Sequence, residues 1–81
     1  MPVPPAELTA EYRIEGPDEA LAAARVVAEP SGIAREAGPG VTALTGSRGQ
    51  VLATLVDVVH ASLDAGARRF DVRIEAPAES R

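Results

Sequence analysis

Two stretches of strict alternation near the ends of the chain constrain its fold more than any other feature. In the first, Leu8, Ala10, Tyr12 and Ile14 fall on one side, and Thr9, Glu11, Arg13 and Glu15 on the other. In the second, Phe70, Val72, Ile74 and Ala76 alternate with Arg69, Asp71, Arg73 and Glu75. A period of two marks a strand with one apolar face and one solvated face. Everything between these strands has to bring them into one sheet.

After the first strand, Gly16-Pro17 breaks the alternation, and Asp18 with Glu19 suits a helix start, where negative charge meets the positive end of the dipole. Ala20, Leu21, Ala24, Val27 and Ala28 recur at helical spacing until Pro30, Ser31 and Gly32 stop the helix. Ile33 to Ala37 and Val41 to Thr45 read as two strands joined at the turn signal Gly38-Pro39-Gly40, a hairpin. Gly46-Ser47 leads into a second helix, from about Arg48 to Ala65. Its Val51, Leu52, Leu55, Val58, Val59, Ser62 and Leu63 share one stripe. Gly66 stands where a helix C-cap glycine belongs.

The order is β-α-β-β-α-β, which predicts an α+β fold of the ferredoxin-like kind: an antiparallel four-stranded sheet with two helices on one face. Right-handed crossovers place the first and third strands in the centre. The expected organisation is an extended lead-in over 1–7, rich in proline, one domain over 8–76 and a short tail over 77–81. A chain of 81 residues buries roughly 60–65% of its unfolded surface, enough for one thin core.

Composition removes several functions. With no cysteine and a single histidine, His60, disulfides and thiol chemistry are excluded and an all-protein transition-metal site is not expected. A net charge of −4 and a pI near 4.8 argue against nucleic acid as a partner, since such binding rests on clustered basic residues. All 8 basic residues are arginines, and they are spread along the chain. Tyr12 and Phe70 are the only aromatic residues, too few for a base-stacking platform. No apolar run approaches the ~20 residues of a membrane span, and the N-terminus does not read as a signal peptide. The expectation is a cytoplasmic protein with no membrane partner.

Ferredoxin-like folds host unrelated functions, so function has to come from a site. The loop after the first strand, Gly16-Pro17-Asp18, lacks both the arginine of an acylphosphatase and the paired cysteines of a metal shuttle. The outward residues of the first strand are not the aromatics of an RNA-recognition motif. Gly38 to Gly46 lacks the lysine of a P-loop, and its glycines read as turns. Glu11, Arg13, Asp71, Arg73 and Glu75 alternate in sign on neighbouring strands; cross-strand ion pairs on a solvated face account for them, and a polar interface or ligand floor is the sharper alternative. His60 falls roughly 130° from the middle of the helical stripe, on or near the surface beside Val56, with no partner spaced to make it catalytic. Val26 also points outward, and with Val56 it hints at a subunit contact. If the hairpin forms, Glu36, Thr42 and Thr45 converge in one place, with Glu36 and Thr42 on one pocket wall. Thr45 falls on the other side of its strand, near the second helix. Simple β-propensity explains the two threonines equally well.

The run Ser31-Gly32-Ile33, then Glu36, Gly38-Pro39, Thr42, Gly46, Val51, Gly66-Ala67, Arg69 and Ile74 resembles the small thiamine-binding protein family, a YkoF-like group of ferredoxin-like subunits. The resemblance spans Ser31 to Ile74 and is looser over the first helix. It implies non-catalytic binding of thiamine or its hydroxymethylpyrimidine portion by a homo-oligomer, commonly a tetramer. On the matching positions it implies Glu36 and Thr42 as the residues that orient the ligand. Tyr12 is added as an apolar wall and Thr45 as a neighbour at the strand end. The chain departs from the family pattern at Thr45, where a carboxylate is usual. It departs again at Val59, where the family has its helix histidine, and in the shorter loop after the first strand. The combined expectation is a non-enzymatic binder of thiamine or a related pyrimidine that partners itself as a dimer or tetramer and uses no other cofactor. The competing expectation is a ligand-free oligomeric module that assembles through its sheet faces and edges; a ligand sensor, usually fused to a catalytic domain, is a third.

Overall fold

A computed structural model of the chain describes residues 8–76; the expected lead-in over 1–7 and tail over 77–81 lie outside the described residues. Strand β1 spans Leu8–Glu15, helix α1 Asp18–Ala28, strand β2 Ala34–Gly38, strand β3 Val41–Gly46, helix α2 Arg48–Asp64 and strand β4 Arg69–Glu75, with a 3-10 turn at Glu29–Ser31 after α1. The sheet order is β2-β3-β1-β4, and every neighbouring pair is antiparallel. This is the ferredoxin-like βαββαβ arrangement expected from the order of patterns.

Local chemistry explains the boundaries. Asp18 and Glu19 occupy the first turn of α1, and the Ser47 side chain accepts a hydrogen bond from the Gln50 amide at the start of α2, satisfying one of the helix's unpaired donors. Gly66 follows α2 at φ 101°, a left-handed conformation that glycine adopts without penalty. The β1–α1 and α2–β4 connections are pressed together at one end of the sheet. A Cβ on Gly16 would lie 2.8 Å from the Ala67 Cα, and the Arg68 amide donates to the Glu15 carbonyl at 2.8 Å.

The core lies between the helices and one face of the sheet. Leu8, Ala10 and Tyr12 of β1 and Leu44 of β3 meet Ala24 and Ala28 of α1 and Val51, Leu55 and Val58 of α2. Burial of these groups supplies most of the driving force for folding. Ser62 is fully buried among them and loses no hydrogen bond, because its hydroxyl donates to the Val59 carbonyl at 3.0 Å.

Two expectations about the apolar faces are corrected. The expected stripe of α2 is split. Val51, Leu55, Val58 and Ser62 are buried, whereas Leu52 and Leu63 are 39% and 51% exposed. Strand β4 is not half-buried: Phe70 is partly covered, but Val72 and Ile74 are 45% and 47% exposed. The cause is lateral position. β4 lies at the sheet edge, and α2 is seated mainly on β1 and β3, so the helix-side residues of β4 have no roof. Ala76 lies just beyond the end of β4 and is exposed.

On the open face the register sets Glu11 opposite Arg73, Arg13 opposite Asp71 and Glu15 opposite Arg69. The expected cross-strand neighbours are therefore in place. The ion pairs that close on this face run instead along β4, Arg69 to Asp71 at 3.0 Å and Arg73 to Glu75 at 3.4 Å. Residues two apart on a strand point the same way, and such exposed pairs contribute at most about 1 kcal/mol.

Candidate functional site

A pocket of about 250 Å³ opens between α1 and the sheet at the end where β2 and β3 turn. Its origin is the composition of α1. The helix presents Ala20, Ala24 and Ala28 to the protein interior, and methyl groups do not fill the space above the long strand residues beneath them. Ala24 and Ala28 form the roof with Leu21, while Tyr12, Ile14 and Thr42 form the floor. The mouth carries charge of both signs, from Arg25 and Glu29 at the end of α1 and from Glu36 on β2.

Three of the four residues singled out from the sequence line this pocket. The register pairs Tyr12 with Thr42 across β1 and β3, and Thr42 with Glu36 across β3 and β2. Directly opposed residues share a face, so the three stand abreast on the helix side of the sheet, one per strand. A phenol, a hydroxyl and a carboxylate thus form a row running from buried to exposed: Tyr12 is buried, Thr42 half-buried and Glu36 open to solvent. The break in regular pairing between Glu36 and Gly38 sits beside this row, a place where irregularities commonly re-aim side chains.

The Tyr12 ring stacks on Phe70 with centroids 5.2 Å apart and planes inclined by 19°. Burial pushes its phenol above the ordinary tyrosine value, and hydrogen bonding with the Thr42 side chain pulls it part of the way back. Tyr12 therefore stays neutral through the physiological range, able both to donate and to accept at the pocket floor. An expected role as an apolar wall and an expected role in the core coincide in this one residue.

Thr45 does not belong to this site. It pairs with Thr9, and the two hydroxyl oxygens lie 3.5 Å apart on the opposite face of the sheet. Period-two parity separates it from Thr42, three positions earlier. His60 is exposed on α2 and is not among the pocket residues. Sequence reasoning did not single out Arg25, Glu29 and Leu21 as lining; the signal was the i, i+4, i+8 alanine series of α1, which marks a close but unfilled helix–sheet contact. Among the described residues, no group of three or more His, Cys, Asp or Glu is placed to hold a metal ion, and no helix is long and apolar enough to cross a membrane.

Comparison with known proteins supports the architecture. The chain is similar to a solved domain of unknown function, DUF77, from Bacillus cereus, with a TM-score of 0.68 and 21% sequence identity over 91% of this chain and 78% of that one. At this identity the likeness establishes the shared fold. No protein-family model and no curated protein matches the sequence.

Proposed function

We propose that the protein is a non-catalytic binder of a small heteroaromatic cation or base, with thiamine or its hydroxymethylpyrimidine portion as the ligand class, acting as a homo-oligomer. The observation that carries the reading is the row Tyr12–Thr42–Glu36 standing abreast in the pocket under α1. An aminopyrimidine presents ring nitrogens that accept and an exocyclic amine that donates. The Glu36 carboxylate accepts, and the Thr42 and Tyr12 hydroxyls can do either. The acidic balance of the chain, −4, favours approach of a cation. The resemblance of Ser31 to Ile74 to the thiamine-binding family points the same way.

The volume refines the choice. At about 250 Å³ the pocket lies just below the roughly 300–1,000 Å³ usual for drug-sized ligands. It suits one substituted ring inside, with the rest of a two-ring molecule remaining at the mouth beside Glu36 and Glu29. Calorimetric titration is expected to show saturable binding of thiamine in the micromolar range or tighter, about −8 kcal/mol, with hydroxymethylpyrimidine competing. Glu36→Gln keeps the shape and removes the charge; it is expected to weaken binding at least tenfold, since hydrogen bonds to charged groups contribute about 1.5–3 kcal/mol. No heat from a folded protein with either compound, or full affinity in Glu36→Gln, overturns the assignment.

A further inference from the structure

The two edges of the sheet are built differently. Strand β2 has 5 residues and an irregularity between Glu36 and Gly38, the features that keep an edge from pairing with another chain. Strand β4 has 7 residues, no proline, and an uninterrupted register with β1 from Arg69 to Glu75. Neither a proline nor a bulge interrupts it, and its helix-side residues Val72 and Ile74 are exposed.

A second apolar surface lies beside the same edge. Leu52, Val56, Val59 and Leu63 recur at i, i+4, i+7 and i+11 along α2, and Leu52, Val56 and Leu63 are 39%, 54% and 51% exposed. The right-handed β3–α2–β4 crossover sets α2 on the β4 side of α1. A rotation of roughly 100° per residue from the buried Val51–Leu55–Val58 line turns this flank away from α1 and toward the β4 edge. Helix flank and strand together form one apolar step beside a row of backbone donors and acceptors that no other strand among the described residues pairs with.

We infer that this step is the seat of a second copy of the same chain, its β4 paired antiparallel with this one about a two-fold axis through Val72. The β4 sequence is its own complement in that register. Val72 meets Val72, Phe70 meets Ile74, Asp71 meets Arg73 and Arg69 meets Glu75. Every charge on the open face lies opposite its counter-charge, and every helix-side residue lies opposite an apolar one. Shifting the two strands by two residues in either direction sets Asp71 opposite Asp71 or Arg73 opposite Arg73, which disfavours those registers. A closed, isologous contact of this kind is the usual form of a homodimer.

On the helix side the same pairing sets two apolar flanks facing each other. The two-fold axis is normal to the sheet, so both α2 helices lie on the same side of a continuous sheet shared by the two copies. Strands spaced about 4.8 Å apart put the two β1 strands about 14 Å from each other across the seam. A helix with its side chains is about 10–12 Å across. With each α2 seated mainly on β1 and β3, the two helix axes stand at least about 14 Å apart, more than the width of one helix, so their apolar flanks face each other across a groove floored by Val72 and Ile74 of both copies. This inference rests on the homo-oligomeric part of the proposed function and not on the pocket, which faces α1 and the β2–β3 turn.

Reciprocal charge reversal tests it without ligand. By light scattering the unaltered chain is expected at twice its 8.3 kDa mass or an even multiple of it. Asp71→Arg sets arginine opposite arginine on both sides of the axis, and Arg73→Asp sets aspartate opposite aspartate; each alone is expected to halve the assembly. Mixing the two variants restores an opposite-charge pair on both sides in a heterodimer, and the mass is expected to return. The side chains of Asp71 and Arg73 are exposed, and circular dichroism checks that each variant is folded. A second measurement is independent of stability. The chain has no cysteine, so Val72→Cys places two thiols opposite each other and is expected to form a covalent dimer on mild oxidation faster than Val26→Cys on the outer face of α1. A monomeric unaltered chain, single variants that keep the full mass, a mixture that stays monomeric, or equal cross-linking at both positions overturns the inference. A blank thiamine titration leaves it standing, and a monomer that still binds thiamine removes the interface while keeping the pocket.

Discussion

Tyr12 is where stability and site chemistry meet, and it has a titration signature of its own. The chain contains no lysine and no cysteine, and arginine stays charged throughout the alkaline range. Among side chains, Tyr12 alone therefore changes charge above about pH 9. Its folded-state pKa is raised above the ordinary 10.0, chiefly by burial and against a smaller opposing contribution from Thr42. The unfolded chain accordingly loses this proton first. The stability linked to it is fully present below 10.0 and declines as pH rises through the higher folded-state value. Urea midpoints are expected to hold near pH 8 and to fall towards pH 11, and Tyr12→Phe to remove most of that fall; an equally steep decline in the phenylalanine variant contradicts the assignment. At this scale the sequence holds the alignment of three of the four expected residues. Parity along three strands is enough to align Tyr12, Thr42 and Glu36 and to set Thr45 on the other face. It carries no information about α1 residues such as Arg25 and Glu29, whose approach depends on how the helix crosses the sheet.

Helix α1 decides whether the site exists. Its inner line of Ala20, Ala24 and Ala28 contributes little buried area per residue, and the space left under it is the pocket. Ala28 lines that space and is 2% exposed. Ala28→Leu is expected to place an isobutyl group in the cavity and to abolish thiamine binding. The thermal midpoint should stay within a few degrees, because the added atoms enter a void; overpacking in a filled core would instead cost about 1–3 kcal/mol. Retained affinity in a folded Ala28→Leu protein places the ligand elsewhere, and collapse of the fold shows that the space is not available. Element types and order followed from the sequence, because alternation in β1 and the Ser47-to-Gly66 punctuation of α2 are strong local signals. What alternation does not report is position across the sheet. The pattern of β4 has the same period as that of β1, yet β1 is central and buried while Val72 and Ile74 stand open at the edge. The apolar positions of α2 likewise share one stripe by periodicity alone. Two surfaces are there, one turned to the core and one turned outward toward the β4 edge.

At the scale of the whole molecule, the domain described over 8–76 is near the size at which a single core is only marginally sufficient. Its fully buried residues are mostly small, with Leu44, Val51 and Val58 the largest apolar ones, and among the described residues seven large apolar side chains remain exposed. Five of these seven, Leu52, Val56, Leu63, Val72 and Ile74, lie on the α2–β4 step, where a second copy paired on β4 sets its own Phe70, Val72 and Ile74 against this strand and shelters part of what the first leaves out. Burial of this kind contributes roughly 25 cal/mol per Å², a large fraction of the roughly 5–15 kcal/mol that separates folded from unfolded domains. Stability then depends on protomer concentration by mass action. The thermal midpoint is expected to rise by several degrees between about 1 and 100 μM protein for the unaltered chain, a range over which RT ln of the concentration ratio is about 2.7 kcal/mol. Asp71→Arg is expected to melt lower and at a midpoint independent of concentration. A midpoint that does not move across that range, in a protein whose mass shows it to be dimeric at both ends, would mean that each subunit folds to completion on its own core. The apolar step would then hold the copies together without helping either of them to fold.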